Sequence, residues 1–171
     1  MTFLKKKTIC ILVEKGSQEA SIIVAVTNIK DRWALLRKVA SIFVKKGYVS
    51  PLYPGALIER EKRYPTGLRI NDALSVALPH AHVMYTIKPV IFVILLKNPV
   101  RFNCMGSPNE SLHVNILMIV AVKDLDRSAK ILRGIGDLLA ERKFSKAVKM
   151  GRVELILKFL KSLMFDNSIS V

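Results

Sequence analysis

Val90-Ile91-Phe92-Val93-Ile94-Leu95-Leu96 is an unbroken apolar run, β-branched at four of its seven positions, and Lys97-Asn98-Pro99 ends it. A strand with one wet face alternates apolar and polar residues. A strand covered on both faces does not need to. The run is too short to read as a core helix, so it predicts a central strand with helices above and below.

Working outward, His113–Val122 has the same character and predicts a second buried strand. Ile9–Val13, Ile22–Val26 and Leu74–Leu78 are shorter β-branched runs, and Gly16-Ser17-Gln18 marks a turn between the first two. Between the strands the period changes. From about Asp31 to Lys46, Trp33, Leu36, Ala40, Phe43 and Val44 recur at helical spacing, with Thr27 or Asn28 as the expected cap and Gly47 as the stop. Ser50-Pro51 is a second helix start, and Pro65 and Gly67 end that helix. Cys104–Asn109 reads as a loop. Helices are expected from about Arg127 to Arg142 and Val153 to Met164, with a short one near Ser145–Met150. Strands alternating with helices predict an α/β protein: a mixed β-sheet flanked by helices on both faces. The 171 residues fit a single domain, 1–171, with a tail that frays from about residue 166.

Composition narrows the function. Two cysteines, Cys10 and Cys104, do not make a disulfide framework, and the apolar run after Lys5-Lys6-Lys7 is too short for a signal core. No stretch reaches the length of a membrane span. A cytoplasmic location is expected. The net charge of +15 raises a nucleic-acid or membrane-surface reading. The basic residues are spread along helical segments without interleaved aromatics, which reads as a solvated basic surface instead.

One histidine stands out. Val76-Ala77-Leu78-Pro79 delivers His80 at the end of a short strand, where proline stops regular pairing. Such a position presents a side chain, and neutral imidazole is an abundant nitrogen nucleophile near pH 7. His80 is expected to stand open to solvent. His113 reads as a strand-start or core histidine, Trp33 as core and Cys104 as packing. His80 and His82 lie on one face of an extended segment but lack a third ligand, so no metal is expected. There is no phosphate-binding G-x-x-x-x-G-K-[ST] motif.

Arg60-Glu61-Lys62-Arg63-Tyr64-Pro65-Thr66-Gly67-Leu68, then Val76-Ala77-Leu78-Pro79-His80, then Ile87-Lys88-Pro89, Asn98–Phe102 and Met105-Gly106, in that order, resemble the IIA components of the bacterial sugar phosphotransferase system (PTS). The likeness is to the fructose–mannitol (EIIA type 2) superfamily, nearest its galactitol-like branch, and is strongest over 30–161. It implies a mixed sheet sandwiched by helices. It also implies a phosphocarrier: His80 takes a phosphoryl group from phospho-HPr and passes it to a IIB component, with a membrane IIC in the wider transporter. It calls for no cofactor and implies neither nucleic acid nor membrane insertion.

Many relatives carry a second histidine near the start of the helix after the last core strand. This chain has Asp126-Arg127-Ser128-Ala129 there. Ser128 and His82 are therefore the candidates for an accessory role. The Thr66 hydroxyl and backbone N–H groups near Gly67 are candidates for holding the phosphoryl group, with Thr66 alternatively bracing the turn. Two other functions compete: a regulatory relative that signals through its phosphorylation state, and a basic nucleic-acid binder. Because HPr is itself basic around its histidine, the carrier reading predicts an apolar surround for His80, with the lysines elsewhere.

Overall fold

The computed structural model describes residues 4–6, 9–15 and 21–165. The expected Gly16–Gln18 turn, the Cys10 side chain and the tail from 166 lie outside what is described. The elements run β1 (Leu4–Lys6), β2 (Ile9–Lys15), β3 (Ser21–Thr27), α1 (Arg32–Lys45), α2 (Tyr53–Arg63), β4 (Gly67–Asn71), β5 (Leu74–Ala77), β6 (Val90–Cys104), β7 (Ser107–Ala121), α3 (Leu125–Ala140), α4 (Arg142–Lys149) and α5 (Val153–Phe165), with one 3-10 turn at Val83–Tyr85.

The expected α/β class with helices on both faces is what the chain forms. The seven strands lie in the order β1-β2-β3-β6-β4-β5-β7, and β6 also pairs with β7. Four strands therefore close on themselves: β6 on β4, β4 on β5, β5 on β7 and β7 on β6. The Val90–Leu96 run sits at the centre. Its residues pair with β3 in parallel on one side and with β7 antiparallel on the other. Alternate residues serve opposite cores. Val90, Phe92 and Ile94 join Leu35, Val39, Phe43, Tyr53 and Leu57 of α1 and α2. Ile91, Val93 and Leu95 join Ile135, Leu139, Phe144 and Ile156 of α3, α4 and α5. That division is why the run has no polar residue. Burying each such aliphatic or aromatic side chain contributes roughly 1.5–3 kcal/mol.

Several boundaries differ from the sequence reading, each for a local reason. The cap of α1 is Asp31, not Thr27 or Asn28: its carboxylate accepts the Ala34 N–H at 2.6 Å. Helix α2 starts at Tyr53, with Pro54 in its first turn in place of Pro51. Lys97-Asn98-Pro99 does not end β6. Five steps along β6, Leu95 to Val100, are matched by two along β7, so these exposed residues form a bulge and pairing resumes. The expected Cys104–Asn109 loop is instead a tight hairpin. Met105 and Gly106 make the turn, Gly106 supplies the positive φ of +80°, and β7 begins at Ser107. His113 consequently lies in mid-strand and is exposed, opposite Arg101. Trp33 is only half-buried at the edge of its core, with the Arg32 guanidinium 4.5 Å over its ring.

Strand β4 is absent from the sequence reading. Arg69-Ile70-Asn71 has no apolar run, and the strand exists because Gly67 can approach β6. A Cβ at Gly67 would lie 2.5 Å from the Asn103 carbonyl oxygen. That approach, with the Met105 N–H donating to Gly67 O at 2.7 Å, fastens the tip of the β6–β7 hairpin beside the end of α2.

Candidate functional site

β5 ends at Ala77, and Leu78-Pro79-His80 leaves it with Pro79 buried. The following segment is clamped. The Ser50 N–H donates to Tyr85 O at 2.8 Å, and the N–H groups of Ile87 and Lys88 both donate to Tyr48 O. His80 therefore sits on a short tether fixed at both ends.

The ring is half-buried and both nitrogens are engaged, which corrects the expectation of an open imidazole. Nδ1 lies 2.9 Å from Leu78 O, and Nε2 lies 2.7 Å from Arg60 Nη2. A carbonyl can only accept and a guanidinium can only donate. The neutral ring thus carries its proton on Nδ1, and the Nε2 lone pair points at Arg60. Burial lowers the His80 pKa, and the Arg60 charge lowers it further against the opposing pull of the Leu78 hydrogen bond.

Behind the ring is a buried relay. Glu61 accepts the Thr66 N–H at 3.1 Å and the Thr66 hydroxyl at 2.9 Å. Thr66 Oγ1 in turn accepts the Leu78 N–H at 3.1 Å. One end of the Leu78 residue is held by Thr66 and the other end holds His80. Burial pushes the Glu61 carboxyl up to about 7, against the Thr66 hydrogen bonds and the charges of Arg32 and Arg60. Arg32 also donates to the Asn103 side chain, so the two arginines flank the floor of the site.

Of the two roles expected for Thr66, the geometry supports bracing: its hydroxyl proton is given to Glu61. His82 is exposed and its Nδ1 accepts the Met84 N–H at 3.2 Å, capping the 3-10 turn. Ser128 sits in the first turn of α3, and neither of the hydrogen bonds at His80 comes from it or from His82. Among the described residues no three His, Cys, Asp or Glu gather as a metal site, and no helix is long and apolar enough to cross a membrane. The sequence reading missed Arg60 and Glu61 as functional. Their signal was placement: a buried acid beside an arginine on the last turn of α2, near the Pro-Thr-Gly turn.

The surround is mixed, not apolar as expected. Tyr64, Leu68, Met84, Ile87 and Met105 are exposed on the segments that carry the site, as is Leu52 at the start of α2. Lys62, Arg63, Arg69 and Lys88 are exposed on the same segments, and Arg60 touches the His80 ring. Arg60 stands among them, 5.7 Å from the Tyr64 ring.

The profile of the family described as "Phosphoenolpyruvate-dependent sugar phosphotransferase system, EIIA 2" matches residues 17–163. The chain belongs to this family. The galactitol-specific EIIA component of the PTS of Escherichia coli K12 is 27% identical over 103 residues, covering 60% of this chain and 67% of that protein. Among solved structures, the E. coli complex of enzyme IIAMTL with phosphorylated enzyme IIBMTL superposes with a TM-score of 0.66 at 18% identity, covering 87% of this chain and 98% of that one. The nitrogen regulatory protein IIA-Ntr of Neisseria meningitidis gives a TM-score of 0.61 at 16% identity, covering 81% and 92%. These two likenesses establish the shared EIIA fold. The chain is thus a PTS EIIA-type protein, a phosphotransferase component with galactitol-like relatives.

Proposed function

We propose that Nε2 of His80 accepts a phosphoryl group from phospho-HPr and passes it to a IIB component, in the uptake of galactitol or a related sugar alcohol. The observation that carries the reading is the fixed tautomer: Nδ1–H is tied to the Leu78 carbonyl, so the nucleophilic lone pair is on Nε2 and faces a guanidinium. In the transfer the donor's N–P bond breaks and an Nε2–P bond forms. No proton need leave Nε2, because it carries none. Arg60 moves from the ring nitrogen onto the phosphoryl oxygens, where its planar fork matches two of them and offsets their charge. Positioning and charge stabilisation are the main demands of such a transfer.

The exposed apolar side chains Tyr64, Leu68, Met84, Ile87 and Met105 support docking of two proteins in turn. Weak, transient contacts of this kind bury a modest area. A cytoplasmic location and a single functional domain are part of the same proposal. The galactitol assignment rests on the curated relatives, the IIB acceptor on the family and on the IIAMTL–IIBMTL complex.

Incubation with phosphoenolpyruvate, enzyme I and HPr should add one acid-labile phosphoryl group by intact mass. His80→Ala should abolish it, whereas His82→Ala and Ser128→Ala should retain it. An unmodified wild-type mass, or full labelling of His80→Ala, overturns the reading. Addition of a galactitol-type IIB should then remove the group.

A further inference from the structure

From Arg142 to Lys161 the chain carries seven cations and a single acid, Glu154. All seven cations are exposed. Helix α4 buries Phe144, Ala147 and Val148 in the second core, so its lysines are turned outward. A turn at Met150-Gly151, with Gly151 at φ +62°, leads into α5. Met150 is 52% exposed at that turn, between Lys149 and Arg152. Beside it is a hollow of about 310 Å³ with Lys143, Lys146 and Arg152 around it and Met150, Leu155 and Phe159 as its apolar wall. This basic surface plays no part in the chemistry at His80.

The geometry points to the α4–α5 face as a docking surface for an anionic lipid bilayer. Phosphate headgroups settle among Lys143, Lys146 and Arg152, and Met150 enters the acyl boundary. Charge complementarity selects this occupant: clusters of four to eight Lys and Arg on a helical face are drawn to anionic leaflets, and an apolar tip within the cluster adds shallow insertion. A free phosphate would use the cations but not the apolar wall. A single-stranded nucleic acid would call for exposed aromatic platforms, and the aromatics here, Phe144 and Phe159, are buried or half-buried and packed edge-on at 5.8 Å. Helices α4 and α5 cover the sheet face opposite α1 and α2, so the layer that carries Arg60 faces away from the docked surface. The proposal does not depend on the phosphocarrier reading.

The test is sedimentation of the full chain with large vesicles. With about one third phosphatidylglycerol in phosphatidylcholine the protein should co-sediment, and with phosphatidylcholine alone it should stay in the supernatant. Binding should weaken as salt is raised, because the Debye length shrinks. Lys143→Glu with Lys146→Glu should lower the bound-to-free ratio by about tenfold or more. Lys143→Arg with Lys146→Arg should retain it, and Met150→Asp should lower it without a change of charge on the cations. Circular dichroism melts establish that the variants are folded. Equal sedimentation with neutral vesicles overturns the proposal. So does an equal loss when the same charge reversal is made on α1, at Lys38 and Lys45, since net charge and not this face would then be responsible. Stronger protection of the face by polyglutamate than by the anionic vesicles would assign it to an acidic protein instead, and would also overturn the proposal.

Discussion

Arg60 Nη2 lies 2.7 Å from His80 Nε2, and this contact leaves the lone pair of the neutral ring on Nε2. A guanidinium donates five N–H groups and accepts none, so Nε2 must face it unprotonated. The same contact helps hold the imidazole neutral, and in the proposed transfer it would keep a cation beside the incoming phosphoryl group.

Replacing Arg60 by Gln should slow phosphoryl transfer to His80 by about a hundredfold or more, the scale seen when a preorganised charge stabiliser is lost. It should also raise the His80 pKa, because one of the two influences that depress it is removed. Histidine Nε2 and Cε1 chemical shifts followed against pH check the second point. In wild type, labelling should persist to lower pH than an ordinary imidazole allows, and the acid limb should move upward in the variant. An unshifted titration would mean that the guanidinium does not act on the ring.

Glu61 has a folded pKa of about 7, above the 4.5 of an ordinary glutamate. The folded state therefore holds this proton more tightly than the unfolded chain. The stability it contributes is complete below pH 4.5 and is lost as pH rises through about 7, a change of about 3 kcal/mol. Urea unfolding at a series of pH values should show that decline in wild type, and Glu61→Gln, which does not titrate, should lack it. Thr66→Ala should loosen the Leu78 peptide and slow labelling of His80, and Thr66→Ser, which keeps the hydroxyl, should restore it.

Gly67→Ala should destabilise the protein by about 2–4 kcal/mol, since its Cβ meets a backbone oxygen that cannot move aside without parting β4 from β6. Denaturant midpoints measure this. A near-wild-type midpoint would show that the hairpin tip yields freely.

Tyr53 is fully buried beside Phe43, and its hydroxyl has no hydrogen-bond partner among the described residues. Burial accordingly drives its pKa upward. Tyr53→Phe keeps the ring and removes the orphan oxygen, so it should be neutral or stabilise by about 1 kcal/mol. A loss of stability would reveal a partner for that oxygen in solution.

The parts of this protein that sequence determined are those written in periodicity. Val90–Leu96 has no polar residue because both of its faces meet helices, and that shows in the residues themselves. The apolar spacing of α1, α3 and α5 is equally local, and Pro79 beside His80 marks the end of a strand wherever that strand lies. Tertiary structure alone decided the rest. β4 has no apolar run in sequence, and its place beside β6 depends on Gly67 fitting against Asn103. β6 and β7 run past their apolar segments because each supplies the other's hydrogen bonds on either side of a bulge that accommodates Pro99. Arg60 and His80 are twenty residues apart, and Glu61 reaches Leu78 only through Thr66. Periodicity reports which face of one segment avoids water. It carries no record of which side chains from separate segments will meet, because that depends on how the segments pack.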